Sequence, residues 1–316
     1  SPTIWLDNWK EVLSNTTKSG QVGGIIGLAF EKISGCYNTG DITCVDYACT
    51  GGVVGRAHAD LSIENCYNTG SINGANYAAG IAGYSDTNSN IENCYNTGEV
   101  NGLICTGGIV GGSSSSTIKN CYNTQNIIGT RQVGGVAGGT FSNSKVEKCY
   151  NTGKITGKIA TGGVAGAAAN IVTKCYNIGK VIGEDNGTGG IVGNCIEENP
   201  QDISLCYNSG TVQGVRAVGG ISGYLEATGS AGKETKCYNK GNVICTTNSE
   251  EKGEIVGLMA NDANVTNCYF YTNDDSSYGV GAIESGGSIE TQRAGAKRIT
   301  NNFNSLDEFI TWVEQQ

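Results

Sequence analysis

The triplet Cys-Tyr-Asn begins at Cys36 and returns at Cys66, Cys94, Cys121, Cys149, Cys175, Cys206 and Cys237, with a degenerate copy, CYFYT, at Cys268. Successive cysteines lie 30, 28, 27, 28, 26, 31, 31 and 31 residues apart. A period of this length is the mark of a repeat array, and it overrides the prior of about two domains that length alone suggests. A second mark, GG[IV]xG, recurs between the cysteines, at Gly23, Gly51, Gly107, Gly134, Gly162, Gly189 and Gly219, with imperfect copies from Ala79 and Gly253.

Aligned, the unit reads GG[IV]xG, a variable polar loop, [IV]xxCYN[TS]G, x[IV]xG and a few small or polar residues. Three short apolar segments rich in Ile and Val and bounded by Gly read as strands. Such a unit cannot bury an apolar face alone, so it must stack on its neighbours. The expected fold is all-β: a three-sided parallel β-solenoid of about nine coils with short helical caps at both ends. The expected divisions are residues 1–19 as an N-terminal cap, 20–275 as the solenoid and 276–316 as a last partial coil with a C-terminal helical cap. Composition agrees, because 50 glycines and only two prolines in 316 residues suit a chain of tight corners and close coil-to-coil contacts.

Both caps are legible as helical faces. At the start, Trp5, Leu6, Trp9, Val12 and Leu13 share one side of a short helix. At the end, Ser305 and Glu308 form a capping-box pattern ahead of Leu306, Phe309, Ile310 and Val313.

Within the unit, alternation assigns three separate roles to CYN. Cysteine points in as a small buried hydrophobe, tyrosine points out, and asparagine turns back in to form an amide ladder with its neighbours. Ile91 and Cys94 are an odd number apart, so a bulge or corner at Glu92 and Asn93 is required. Nine cysteines in one column at strand spacing lie too far apart for disulfides and do not converge on a metal ion. The expectation is a ladder of free thiols with no cofactor; only Cys44 and Cys49 are placed to pair.

The alternation of GGIVG at Gly107 with NCYNTGEVNG at Asn93 resembles the GLUG repeats of adhesin-like bacterial cell-surface proteins, some of which also carry IgA-cleaving peptidase domains. The resemblance covers about residues 20–275. It implies an exported, surface-displayed module of a gut or mucosal bacterium. It does not extend to peptidase activity, since those enzymes use HExxH in a separate domain and the single histidine here, His58, is followed by Ala59. The chain shows no initiating Met, no signal or transmembrane run and no sorting motif, which reads as a portion of a larger exported protein, itself a monomer. A net charge of −9 argues against nucleic acid and acidic lipid as partners.

The functional expectation is a non-catalytic binding or adhesion module for a host or surface glycan or protein. The alternatives are a passive stalk and, third, a glycan-cleaving enzyme, for which no convergent carboxylate pair stands out. Arg56, His58 and Asp60 share one loop, and the acidic stretches from Glu197 and Asn273 suggest weak calcium turns at most. Binding has two candidate surfaces. One is the tyrosine column, including Tyr95, Tyr122, Tyr150, Tyr176 and Tyr207, whose ring faces would meet sugars or a protein. The other is a ridge of two insertions, 194–202 and 224–233, including Glu197, Asp202 and Tyr224.

Overall fold

The computed structural model describes residues 20–44, 49–195, 202–227, 232–247, 250–261, 263–285 and 287–316. The expected N-terminal helix and Glu197 therefore lie outside the described residues, as do residues 196–201 and 228–231 of the two insertions. What is described is an all-β parallel solenoid of about nine turns with two short helices near its C-terminal end.

One coil shows how the repeat folds. Strands run over Ile104–Gly107, Val110–Ser114, Thr117–Lys119, Tyr122–Asn123 and Ile127–Ile128. Each pairs in parallel with its equivalents in the coils before and after, so the molecule has five ladders, here numbered first to fifth in that order. The ladders are in register throughout: Tyr95 pairs with Tyr122, and Tyr122 with Tyr150. The three apolar segments of the repeat become five strands because two of them bend. GG[IV]xG turns between its second glycine and the aliphatic residue, and [IV]xxCYN turns just before cysteine.

The second bend resolves the parity problem. Asn65, Asn93, Asn120, Lys148, Lys174, Leu205, Lys236 and Asn267, each immediately before a cysteine, all have φ between 51° and 55°. A left-handed residue there makes a corner that lets Ile91 and Cys94 both face inward. Asparagine tolerates this conformation, whereas lysine and leucine pay about 1–2 kcal/mol for it. The coil-to-coil hydrogen bonds on either side must cover that strain.

The core forms two main apolar stripes. The larger combines Ile81, Ile91 and Cys94 with their equivalents in other coils, and the smaller combines Ile72, Val100 and Ile127 with Ala78 and Val133. Full burial of one such aliphatic side chain is worth about 1.5–3 kcal/mol. Between the stripes runs the asparagine column. Each Nδ2 donates to the Oδ1 of the next coil, at 2.8 Å for Asn96 to Asn123 and for Asn123 to Asn151. It also donates to the carbonyl two residues on, at 2.7 Å for Asn96 to Gly98, while Oδ1 accepts from that residue's N–H at 3.3 Å. From Asn96 to Asn208 both donors and both acceptor sites of each amide are used, so the middle of this buried polar column carries no unpaired group.

The second glycine of each GG pair exists to admit this column. A Cβ at Gly108 would stand 2.7 Å from Asn123 and closer still to the carbonyl oxygen of Gly135, and one at Gly163 would strike Asn177 and Gly190. Neither residue has positive φ, so close approach is the reason for glycine here, not backbone conformation.

All fourteen cysteines are free, Cys44 and Cys49 included. From Cys66 to Cys268 the column is completely buried. Each thiol is used in place: Cys121 Sγ donates to Lys119 O at 3.1 Å and accepts the N–H of Cys94 at 3.4 Å. Burial pushes the Cys149 and Cys206 thiols well above the usual range, which keeps them unreactive.

The C-terminal end departs from the expectation in one respect. Helix α1, Ile289–Gly295, is the cap that closes the stack: Gln292 Oε1 accepts the Val265 N–H at 2.9 Å, and the Arg293 guanidinium donates to the Val280 and Gly281 carbonyls at 3.0 Å. These contacts occupy edge groups that would otherwise template further pairing. Helix α2, Leu306–Val313, does not cap the end. It begins as the sequence indicates, with Ser305 Oγ accepting the Glu308 N–H at 3.2 Å, but it lies along the side of the solenoid over Tyr207, Tyr238 and Tyr269.

Two consequences are measurable. In the native protein at most Cys36, Cys49 and Cys245, the three that are only partly buried, should react quickly with a thiol reagent, and denaturation without reductant should release all fourteen; a majority held in disulfides would contradict the thiol ladder. Gly108→Val or Gly163→Val should lower stability by more than the ~1 kcal/mol of a glycine propensity change, read as a reduced Tm, and an unchanged Tm would show that the close approach is not required.

Candidate functional site

The fourth ladder carries the most distinctive surface. Its two-residue strands place asparagine inward and tyrosine outward, so in-register pairing brings phenol over phenol at the strand spacing of about 4.8 Å. Tyr37, Tyr67, Tyr95, Tyr122, Tyr150 and Tyr176 form one continuous stack, with centroids 4.7–5.1 Å apart and planes within 6° of parallel. Tyr37 is 38% exposed and the other five are half-buried. Burial, and then the neighbouring phenol, push the Tyr150 and Tyr176 hydroxyls above the ordinary value, so they remain neutral donors.

This geometry changes what the column offers. The sequence suggests ring faces available to a ligand, but each face is taken by the ring of the adjacent coil. What points outward is a row of ring edges and hydroxyl groups.

The column is also not open along its whole length. Tyr207 and Tyr238 are 2% and 0% exposed because the segment leading into α2 and the helix itself cover them. Tyr207 therefore drops out as a surface-binding residue. The cover is specific: Phe303 meets the Tyr238 ring nearly edge-on, at 5.1 Å and 76°, and Trp312 meets Tyr269 at 4.8 Å and 82°. Two phenols reach backbone, Tyr207 to the Phe303 carbonyl and Tyr238 to the Asn301 carbonyl, both at 3.0 Å. Tyr176 packs at the margin of the covered zone. Of these residues only Phe309 belongs to the helical face read from the sequence, with Leu306, Ile310 and Val313; Phe303, ahead of the helix, and Trp312 are not part of that reading, and nothing in the pattern says which face of the solenoid the helix covers.

The other sequence candidates are scattered. Tyr224 belongs to the second ladder, where its hydroxyl contacts Glu284 Oε2 at 3.2 Å. Asp202 belongs to the third and pairs with Lys233 at 3.5 Å. Neither shares a face with the tyrosine stack. On the His58 loop, Arg56 forks onto Asp86 at 2.9 and 3.0 Å, the His58 ring leans on Phe30 at 5.1 Å, and Asp60 accepts from Asn88 at 3.2 Å. The three side chains face different partners and do not converge. Asp274 spends its oxygens on Ser276 and Ser277, with contacts of 2.6–3.1 Å, and Asp275 pairs with Arg298, so that turn is held by its own side chains.

No curated protein and no solved structure matches the chain. The GLUG motif does, over residues 18–43, 46–73, 74–101 and 129–156. These matches fall on the repeat that builds the ladders, each spanning a GG pair and the CYN-containing turn that follows or its immediate equivalent. The chain thus carries the GLUG motif in four of its repeats, within residues 18–156, and those repeats stack as coils of the parallel solenoid.

Proposed function

We propose that this chain is a non-catalytic binding module displayed at a bacterial surface, and that it recognises a protein segment bearing aromatic side chains through the open tyrosine stack from Tyr37 to Tyr176. One observation carries the reading: over the next three coils, at Tyr207, Tyr238 and Tyr269, the same column is already covered by such a segment, the chain's own residues 301–313.

The covered part supplies the chemistry of recognition. Ring edges accept Phe and Trp in edge-to-face contact, worth about 0.5–1.5 kcal/mol each beyond area burial, and outward phenols donate to a partner's backbone carbonyls. The six rings are already ordered by mutual stacking, so a partner loses little entropy in fixing them. A sugar needs an exposed ring face, and along the stack those faces are spent. Geometry therefore favours a protein over a glycan.

The display at a surface rests on the repeat type. The reading as a binder without catalysis is supported by the way the third-ladder carboxylates are neutralised in place, Glu147 by Lys145 at 2.7 Å and Glu92 by Lys119 at 3.9 Å. No helix among the described residues is long and apolar enough to cross a membrane.

The test is an array of host and surface proteins and glycans probed with the full chain and with a Tyr95→Ser/Tyr122→Ser/Tyr150→Ser variant whose fold is checked by circular dichroism. Protein ligands bound at least ~10-fold more weakly by the variant, which is the loss of roughly 1.4 kcal/mol, are the expected result. Shortening the 194–202 and 224–233 insertions should leave that binding intact. Glycan-only binding, or binding lost with the insertions and kept by the tyrosine variant, would overturn the proposal. No binding at all would favour the passive stalk.

A further inference from the structure

In the third ladder the inward position is aliphatic from coil to coil, as Ile118, Val146, Val172, Ile203 and Val265 illustrate, but in the eighth coil it is Glu234. The inward position of the second ladder, occupied by Ala165, Val192 and Val256 in nearby coils, becomes Ser222 in that same coil. The two exceptions meet, Ser222 Oγ donating to Glu234 Oε2 at 2.6 Å. Glu234 is 0% exposed and its Oε1 has no hydrogen-bond partner. A bare carboxyl oxygen in a dry core is a costly group, and buried charges are normally paired or bound to metal.

Something stands beside it. A carboxylate oxygen of Glu234 and the sulfurs of Cys237 and Cys268 lie within 4.8 Å of one another, all buried. The Cys195 thiol contacts the same Ser222 hydroxyl from the other side. We propose that Glu234, Cys237 and Cys268 form a site for one thiophilic divalent cation of the zinc class, with Ser222 holding the carboxylate in position.

The donor set selects the ion. One carboxylate and two thiolates suit zinc, which has no geometric demand of its own, while calcium and magnesium require oxygen ligands. Binding releases the two thiol protons and any proton held by the Glu234 carboxyl, leaving three anionic donors around the doubly charged ion. Zinc–sulfur bonds of about 2.3 Å require the donors to draw together by about 1 Å, through rotation of the Glu234, Cys237 and Cys268 side chains. Elsewhere the cysteines form a straight column, which on its own does not converge on an ion; Glu234 supplies the one donor off that line. The site joins coils eight and nine, the last two complete turns before α1 closes the stack.

The experiment uses the full chain, unfolded with reductant and chelator and refolded with or without one equivalent of Zn2+ or Co2+. The expected result is one zinc retained per chain after desalting, a thiolate-to-cobalt charge-transfer band in the near ultraviolet, and a Tm raised by about 5 °C or more. A Glu234→Val/Ser222→Val variant restores aliphatic side chains at both positions and keeps all fourteen thiols. It should fold in either condition and lose the zinc, the band and the Tm shift, and Glu234→Gln should lose them too. Wild-type protein that retains no zinc, or a double variant that retains as much as wild type, would overturn the proposal.

Discussion

The amide ladder from Asn38 to Asn239 is the interaction on which the rest of this structure depends. Each asparagine from Asn96 to Asn208 spends both donors and both acceptor sites, one of each on a neighbouring coil and one of each on its own turn. A slip of one residue between coils would place each amide opposite a residue that faces the other way, such as tyrosine or threonine, and orphan several buried polar groups at once, at about 1–3 kcal/mol apiece. The ladder therefore sets register, and register sets everything stacked beside it. Glycine at the second position of GG pairs, cysteine two residues before the asparagine and a left-handed residue before that cysteine are all conditions for bringing the amides into line.

The same register creates the surface. Tyrosine is outward because its neighbours are inward, and the rings lie face to face because the strands do. One column carries both faces of the molecule: six tyrosines stack ring on ring from Tyr37 to Tyr176, and helix α2 covers the next three, Tyr207, Tyr238 and Tyr269, where the parallel stacking ends. A side chain can serve the coil and a partner together because stacking consumes its faces and leaves its edge and hydroxyl unused.

Much of this was legible from residues alone. Two repeating marks imply stacking, alternation gives cysteine in, tyrosine out and asparagine in, and the odd spacing of Ile91 and Cys94 requires a corner. The number of ladders was not legible, because an apolar segment of five or six residues does not reveal that it bends in the middle. The residues at the bend, Lys148, Lys174 and Leu205 among them, carry no local preference for positive φ; the stack imposes it. The placement of α2 escaped for a related reason, since an amphipathic helix states that it covers something apolar but not what. Glu234 was in plain view as KETKCYN, the coil whose aliphatic position holds an acid; reading the consensus in place of its exceptions hid it.

The most direct measurement compares two asparagines of the ladder by equilibrium denaturation. Asn123→Ala in the middle removes bonds to two coils and strands polar groups on both sides, so it should cost at least ~3 kcal/mol. Asn38→Ala at the first described coil removes a bond to one coil only and should cost about half as much. Equal, small effects at both positions would show that the apolar stripes alone hold the coils in register and would contradict the account.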